Sequence, residues 1–378
     1  MTEFFLIRHA QAEGNSYRMM QGHWDGDITD LGRQQVRALE QRFEGQRVDA
    51  VYTSDLHRAV LTAEALTNPR PELPLQLCPE LRELDIGPLQ ACFFGDLLRD
   101  IPEEMNAFLY DSAGWHHDGA ETFLQAGERG LRRLTEIAEQ NAGKTVAVVS
   151  HGITIRSMLS RITGIPLSDS ERLPICGNTA VTKLSYDSGS FSVEYFNDMS
   201  HVEGLSRWKS PAPSFSAAEL KLNDRAEADW YSSCYADSWR CAHGSLRGYN
   251  PAPYLSAAKN HRLQDRGSVL KLYDGDTPAG LIDMDTLRGA GEGIGWISQL
   301  YLCPEYRGMG AGIQVLARGI MHYTDLGRKV LRLHVSENNL RALDFYRRWG
   351  FREISCERNS LGRLLLMERP LREERSGK

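Results

Sequence analysis

At 378 residues the chain is longer than one ordinary core, so two domains are expected. Hydrophobic residues make up 41% and charged residues 25%, a globular profile, and the net charge of −6 lacks the basic excess of a nucleic-acid binder. The first apolar run ends at Arg8, too short for a secretory leader, and no later run approaches membrane-spanning length.

The seven cysteines are scattered and form no CxxC pair, which argues against a disulfide framework or a zinc site. A cytoplasmic protein without metal or membrane partner is expected.

In chain order, EFFLI (Glu3 to Ile7) predicts a strand, followed by a polar loop and a helix from about Asp30 to Glu44. VDAVYTS predicts a second strand and leads into a helix from about Asp55 to Leu66. TVAVVS predicts a third, before a helix from about Ile153 to Ile162. Such alternation points to an α/β sheet of parallel strands covered by helices, in which ligands sit beyond the carboxyl ends of the strands. FSVEYF (Phe191 to Phe196) alternates as a further strand. KSPAPSFS (Lys209 to Ser216) then sets two prolines among serines and reads as an extended linker. The expected division is a first domain over residues 1–205, a linker over 206–216 and a second domain over 217–372, with LREERSGK a frayed terminus.

Arg8 and His9 follow the first strand, Arg58 lies in the first turn of the helix after the second, and His151 and Gly152 follow the third. If these strands are neighbours, two arginines and two histidines gather at one sheet edge and repel unless an anion joins them. A cation in a helix's first turn opposes the macrodipole at a cost of about 0.3–1 kcal/mol when exposed. Phosphate there is favoured by dipole and arginine alike. Taken alone, Arg58 reads as a cation reaching solvent and paired with Asp55. Taken with the other strand ends, an anion site is the better reading.

The motifs LIRHAQAEGN, QGHWDGDITDLGRQQ, SDLHRAVLTAE, LRELDIG and VVSHG, in this order over roughly residues 3–202, resemble the histidine phosphatase superfamily, in the branch that contains cofactor-dependent phosphoglycerate mutases. The resemblance implies a three-layer α/β/α domain. It implies His9 as the nucleophile, neutral at the attacking nitrogen and with its other nitrogen's proton held by a hydrogen bond. Arg8, Arg58 and His151 would hold the phosphoryl oxygens, Asn15, Gln21 and Gly22 would assist, and Gly152 would permit a tight turn. Glu83 matches the proton donor to the leaving oxygen, with Asp85 the nearby rival.

The sequence departs from the family at Ala10, where many members have glycine, and at Gln11, where many have glutamate. Leu89, Gln90 and Ala91 replace the common tryptophan-glutamate-glycine, which leaves the substrate open. The segment from Glu83 to His151 is shorter than in true mutases, favouring metal-free hydrolysis over phosphoryl shuttling. A mutase with an accessory domain is the alternative.

Downstream, WISQLYL (Trp296 to Leu302) predicts a strand, PEYRGMGAG a glycine-rich turn and Ile313 to Leu326 a helix. Such a turn exposes backbone N–H groups where the helix dipole favours an anion. It fits neither GxGxxG, which needs glycine at Ile313, nor a P-loop. It matches R-x-x-G-x-G through Arg307, Gly310 and Gly312, and VSENNLRALDFYRRWGF follows. Together these resemble GNAT-type N-acetyltransferases, mixed α/β domains that use acetyl-CoA, over about Phe215 to Leu371. The resemblance implies that Arg307, Gly308, Gly310 and Gly312 hold the pyrophosphate and that the strand ending at Leu302 offers backbone to the pantetheine. Asn339 and Tyr346, nearly two helical turns apart, are expected on one helix face with the small Ala342 between them. Tyr346 would protonate the departing thiolate, against core packing beside Phe345 as its competing role.

The acceptor is less legible. An amine must lose a proton before attack, and Glu292, Asp283 and Asp285 lie near the relevant strands. The aromatic-rich segment from Trp230 to Arg266 either shapes the acceptor site or packs as helix and loop. The expectation is a bifunctional enzyme acting on a small phosphoester and a small amine, with no nucleic-acid partner and an open oligomeric state. In the alternative, one domain is a binding or regulatory module.

Overall fold

In the computed structural model, which describes residues 1–205, 212–359 and 362–371, the chain divides into two units near residues 209 and 210. The first contains, in order, β1 (Thr2–Arg8), α1 (Glu13–Tyr17), α2 (Asp30–Arg42), β2 (Ala50–Thr53), α3 (His57–Thr67), β3 (Leu75–Leu77), α4 (Phe94–Asp100), α5 (Pro102–Tyr110), α6 (Phe123–Gln140), β4 (Thr145–Ser150), α7 (Gly152–Thr163), β5 (Val181–Asp187) and β6 (Ser190–Asp198). Its sheet runs β3-β2-β4-β1-β5-β6.

The four strands from β3 to β1 are parallel, as expected. The sheet as a whole is mixed, because β5 and β6 are antiparallel. Ser188 and Gly189, both at positive φ, make the tight turn that returns β6 along β5.

Alternate residues of β1 feed two cores, as the pleat requires. Phe4 and Leu6 pack with Leu134 and Ile137 of α6 and Ile155 and Met158 of α7. Phe5 and Ile7 pack with Leu39 of α2 and Ala59 and Ala63 of α3. The result is three layers, helices on both faces of the sheet. A third cluster, with Leu84, Ile86, Phe108, Trp115 and Phe123, underlies the segment that carries Glu83.

The second unit contains β7 (Ser216–Glu219), α8 (Arg225–His243), α9 (Pro251–Gln264), β8 (Val269–Asp274), β9 (Thr277–Asp285), β10 (Ile294–Leu302), α10 (Gly312–Asp325), β11 (Val330–Ser336), α11 (Leu340–Arg348), β12 (Arg352–Asn359) and β13 (Gly362–Pro370). Its sheet order is β12-β13-β11-β10-β9-β8-β7. Among the described residues only β10 and β11 pair in parallel, and only from Ile294 to Ile297. A register shift follows between Ile297 and Gln299, and β10 continues to Leu302 paired with β9 alone. The two parallel strands therefore part.

The segment read as a linker is partly structured. Residues 206–211 lie outside the described residues. Beyond them, Gln314 of α10 donates to the Pro213 carbonyl at 2.7 Å and accepts from the Phe215 N–H at 3.0 Å, and Phe215 is buried. The stretch from Pro213 onward is thus packed against α10, and β7 opens at Ser216. Among the described residues no helix is long and apolar enough to cross a membrane.

Candidate active sites

Parallel pairing of β1 with β4, Arg8 opposite Ser150, brings two strand ends side by side. His9 and His151 leave those ends with their rings 5.0 Å apart. Arg58 sits in the first turn of α3, behind β2, and is fully buried. Each side chain is partly committed to the protein. His9 Nδ1 donates to its neighbour's carbonyl on Ala10 at 2.7 Å, which leaves Nε2 as the nitrogen with a lone pair. Arg58 donates to the carbonyls of Gly22 (2.7 Å) and Trp24 (2.8 Å). Arg8 donates to the Cys176 carbonyl, and His151 Nε2 meets Ser54 Oγ at 2.8 Å.

What remains is informative: Arg8 Nε, Arg58 Nε and His151 Nδ1 are buried without a hydrogen-bond partner. A buried unsatisfied polar group costs about 1–3 kcal/mol. An anion beside His9 is one group that could satisfy all three. Burial, then Arg58 and Arg8, hold His9 well below the ordinary imidazole value, so it is neutral at pH 7. Burial first, then Arg58, does the same to His151. Burial also lowers Arg58 to about 10, against the raising pull of Asp25. It remains a cation at neutral pH.

Glu83 approaches the start of α7 from the segment between β3 and α4. Its Oε1 accepts from the N–H and hydroxyl of Thr154 (3.0 and 3.2 Å), and its Oε2 accepts from the Ile153 N–H at 3.2 Å. Asp85 is turned elsewhere: its Oδ1 accepts from the Gly87 N–H and the Gln90 amide. Gln90 also accepts from the His23 N–H at 2.8 Å, so the residue that replaces the family's glutamate bridges two loops by accepting and donating at once.

The remaining expected positions lie between β1 and α2. Asn15 turns its carbonyl oxygen back to the Ala12 N–H at 2.9 Å, opening α1. Gln21 Oε1 is buried and unpartnered. Gly22 adopts a positive φ of 50° and supplies the carbonyl that holds Arg58.

In the second unit the glycine turn leads into α10 as expected. Gly308 (φ 84°) and Gly310 (φ 81°) occupy the left-handed region. Gly312 begins the helix, where a Cβ would come 3.2 Å from the Phe345 ring. Arg307 is committed: it donates to the Leu302 carbonyl at 2.8 Å and pairs with Asp237 at 2.6 Å. Tyr346 is buried between Phe345 and Phe351, ring centroids 5.3 and 5.4 Å away, and burial raises its phenol.

Residues 4–199 match the histidine phosphatase superfamily, branch 1. The chain belongs to that superfamily. Residues 228–351 match the acetyltransferase (GNAT) family, so the same chain carries a GNAT domain. Among curated relatives, the first unit is similar to phosphoglycerate mutase-like protein 4 of Arabidopsis thaliana, 28% identical over 53% of this chain and 87% of that protein. It is equally similar, at 28%, to a metal-independent phosphoserine phosphatase of the same plant, over 54% of this chain and 85% of that protein. Among solved structures it resembles Bacillus stearothermophilus YhfR, with a TM-score of 0.52 and 29% identity over 54% of this chain and all of that one.

Several expectations for this histidine phosphatase are corrected by the geometry. Gly152 is not a turn residue but the first residue of α7; a Cβ there would lie 3.2 Å from the Arg8 guanidinium, so its smallness admits Arg8. Arg58 is paired with Asp25 at 3.5 Å, while Asp55 pairs with Arg82 at 2.5 Å. In the GNAT domain, Asn339 caps α11 by accepting from the Ala342 N–H at 3.2 Å, so it precedes the helix face that carries Tyr346. The Leu302 carbonyl is already taken by Arg307.

Of the three carboxylates considered as bases, Asp283 and Asp285 are engaged within the unit. Asp283 is buried and bound to the Tyr231 hydroxyl (2.8 Å) and to His261 (2.7 Å). Asp285 accepts from the N–H groups of Leu287 and Arg288. Glu292 lies in a turn before β10. The segment from Trp230 to Arg266 forms α8 and α9, with the Tyr235 and Tyr254 rings stacked at 4.1 Å.

Sequence reading missed Ser54 beside His151, Asp25 beside Arg58, His23, whose Nε2 meets the Glu83 carbonyl at 2.9 Å, and Arg129, which reaches the same carbonyl. The D-G-D after QGHW was a visible cue for Asp25, but nothing local to Arg129 marked it.

Proposed function

We propose that the first unit hydrolyses phosphomonoesters through a phosphohistidine at His9. The observation that supports this best is the set of three buried, unpartnered nitrogens of Arg8, Arg58 and His151 around a neutral imidazole whose Nδ1 proton is held. His9 Nε2 attacks phosphorus as the ester P–O bond breaks, and Glu83 gives a proton to the leaving oxygen. Water then attacks the phosphohistidine, returning a proton to Glu83 and releasing inorganic phosphate. The cationic groups stabilise charge on the equatorial oxygens. No step calls on a metal.

We propose that the second unit transfers acetyl to an amine. Acetyl-CoA supplies the acetyl group. The backbone of Gly308 to Gly312 at the start of α10 suits the pyrophosphate, and β10 beyond Ile297 leaves backbone free of β11 for the pantetheine. Tyr346 keeps a neutral phenol that can protonate a thiolate. His334, one residue beyond the last β10–β11 pair and edge-on to Trp296 at 5.2 Å, keeps Nε2 buried without a partner. Burial lowers His334 below the ordinary imidazole value, which keeps the ring neutral at pH 7, the form that can accept a proton. Both reactions are assigned to the cytoplasm, consistent with seven unpaired cysteines.

The test is a paired screen, phosphometabolites for phosphate release and amines for CoA release, run on wild type and His9→Ala. His9→Ala should lose phosphate release and keep acetyl transfer. Near-wild-type hydrolysis by His9→Ala would sink the phosphohistidine route.

A further inference from the structure

Glu83 stands on a segment without helix or strand, between the turn at Pro79–Leu81 and the turn at Gly87–Leu89. A general acid on such a segment needs something to fix it. Arg129 of α6 reaches across and donates to the carbonyls of Glu80 (2.5 Å), Arg82 (3.1 Å) and Glu83 (3.4 Å). The same guanidinium binds both oxygens of Glu121, at 2.9 and 2.8 Å. Glu121 then grips the far side of the segment: its N–H donates to the Asp85 carbonyl at 2.7 Å, and its carboxylate accepts from the Asp85 N–H at 3.2 Å. One ion pair therefore holds the backbone on both sides of Glu83. The phosphate-facing groups owe nothing to it, since Arg8, His9 and His151 come from the ends of β1 and β4 and Arg58 from α3.

Resting on the reading of Glu83 as the acid, we propose that Arg129, paired with Glu121, is a positioning residue for proton donation to the leaving group. It acts through the backbone of residues 80–85 and does not touch substrate. The fork geometry matters, because five donors in one plane serve three carbonyls and a carboxylate, which the single ammonium of a lysine cannot do. Misplacing a reacting group by about 1 Å can cost about 100-fold in rate. The loss should fall on the step that needs the proton and spare the attack that does not.

The experiment measures kcat/KM of the full chain for p-nitrophenyl phosphate, whose leaving group needs little protonation, and for phenyl phosphate, whose leaving group needs more. This parameter reports the first chemical step and excludes the later hydrolysis of phosphohistidine, which is common to both esters. Arg129→Met should slow phenyl phosphate by about 10–100-fold and p-nitrophenyl phosphate by about 3-fold or less. Arg129→Lys should show the same selective loss, and Glu121→Gln a smaller one in the same direction. If Arg129→Met does not fold, the latter two decide. Equal slowing of both esters, or undiminished phenyl phosphate hydrolysis in the folded variants, would overturn the positioning role. A wild type that hydrolyses neither ester would overturn the phosphatase reading itself, and this role with it.

Discussion

Three imidazoles in the first unit, His9 and His151 buried and His201 half-buried, share one electrostatic history. Burial and then the neighbouring guanidiniums hold His9 and His151 well below 6.5, and burial and then Arg42 bring His201 to about 4. Each folded value lies below the unfolded one, so below about pH 6.5 the unfolded chain binds more protons than the native one. Stability from these groups is fully present above about pH 6.5 and is lost as pH falls through the folded values, for His201 about 4. Melting temperature should therefore fall as pH is lowered across that window, and His201→Gln should flatten the slope. An unchanged slope in the variant would contradict the burial argument. The same depression keeps His9 nucleophilic in mild acid: the acid limb of kcat/KM should lie below the ordinary histidine value. A limb at or above 6.5 would count against it.

At the scale of elements, the parting of β10 from β11 and the glycine turn before α10 make a single prediction. Acetyl-CoA should raise the melting temperature, because a ligand that binds only the folded form stabilises it. Gly310→Val should abolish that shift, since φ is 81° there and a β-branched side chain resists that conformation. A full shift in the variant would remove the turn from the binding site.

The elements that carry this chemistry were readable because each signal was local. An apolar run ending in Arg8-His9 or in Ser150-His151 announces a strand and its terminal side chains together. The start of α11 was misjudged for the opposite reason: periodicity does not separate a capping Asn339 from a helical one until the Ala342 N–H is seen to bond it. Arg129 was invisible because the carbonyls it holds lie 46 to 49 positions away, where no sequence pattern marks them. FSVEYF did mark β6, but β5 and the antiparallel return of both strands were lost to the βα alternation before them, which says nothing of how the chain returns to the sheet.

For the whole molecule, the prediction is that each unit folds and acts alone. The two site residue sets do not interleave along the chain, and each unit buries its own core. A piece spanning residues 1–205 should release phosphate, and a piece beginning at Ala212 should bind acetyl-CoA. A piece beginning at Ala217 should melt several degrees lower than one beginning at Ala212, because it strips Gln314 of Pro213 and Phe215 and removes a buried phenylalanine, a loss of about 3–5 kcal/mol for full truncation. Equal melting of the two pieces would show those contacts to be idle. Insoluble single units would show that they depend on each other.

The three unpartnered nitrogens around His9 also bear on how the reaction runs down. A site that binds the phosphate of an ester through these nitrogens would not distinguish it from phosphate set free, so the proposed mechanism predicts that the product also binds the resting enzyme. Turnover should slow as phosphate accumulates, with progress curves bending well before substrate is spent and straightening when a coupled reaction removes the phosphate. Output would then follow the local phosphate level, making the reaction self-limiting wherever phosphate is abundant.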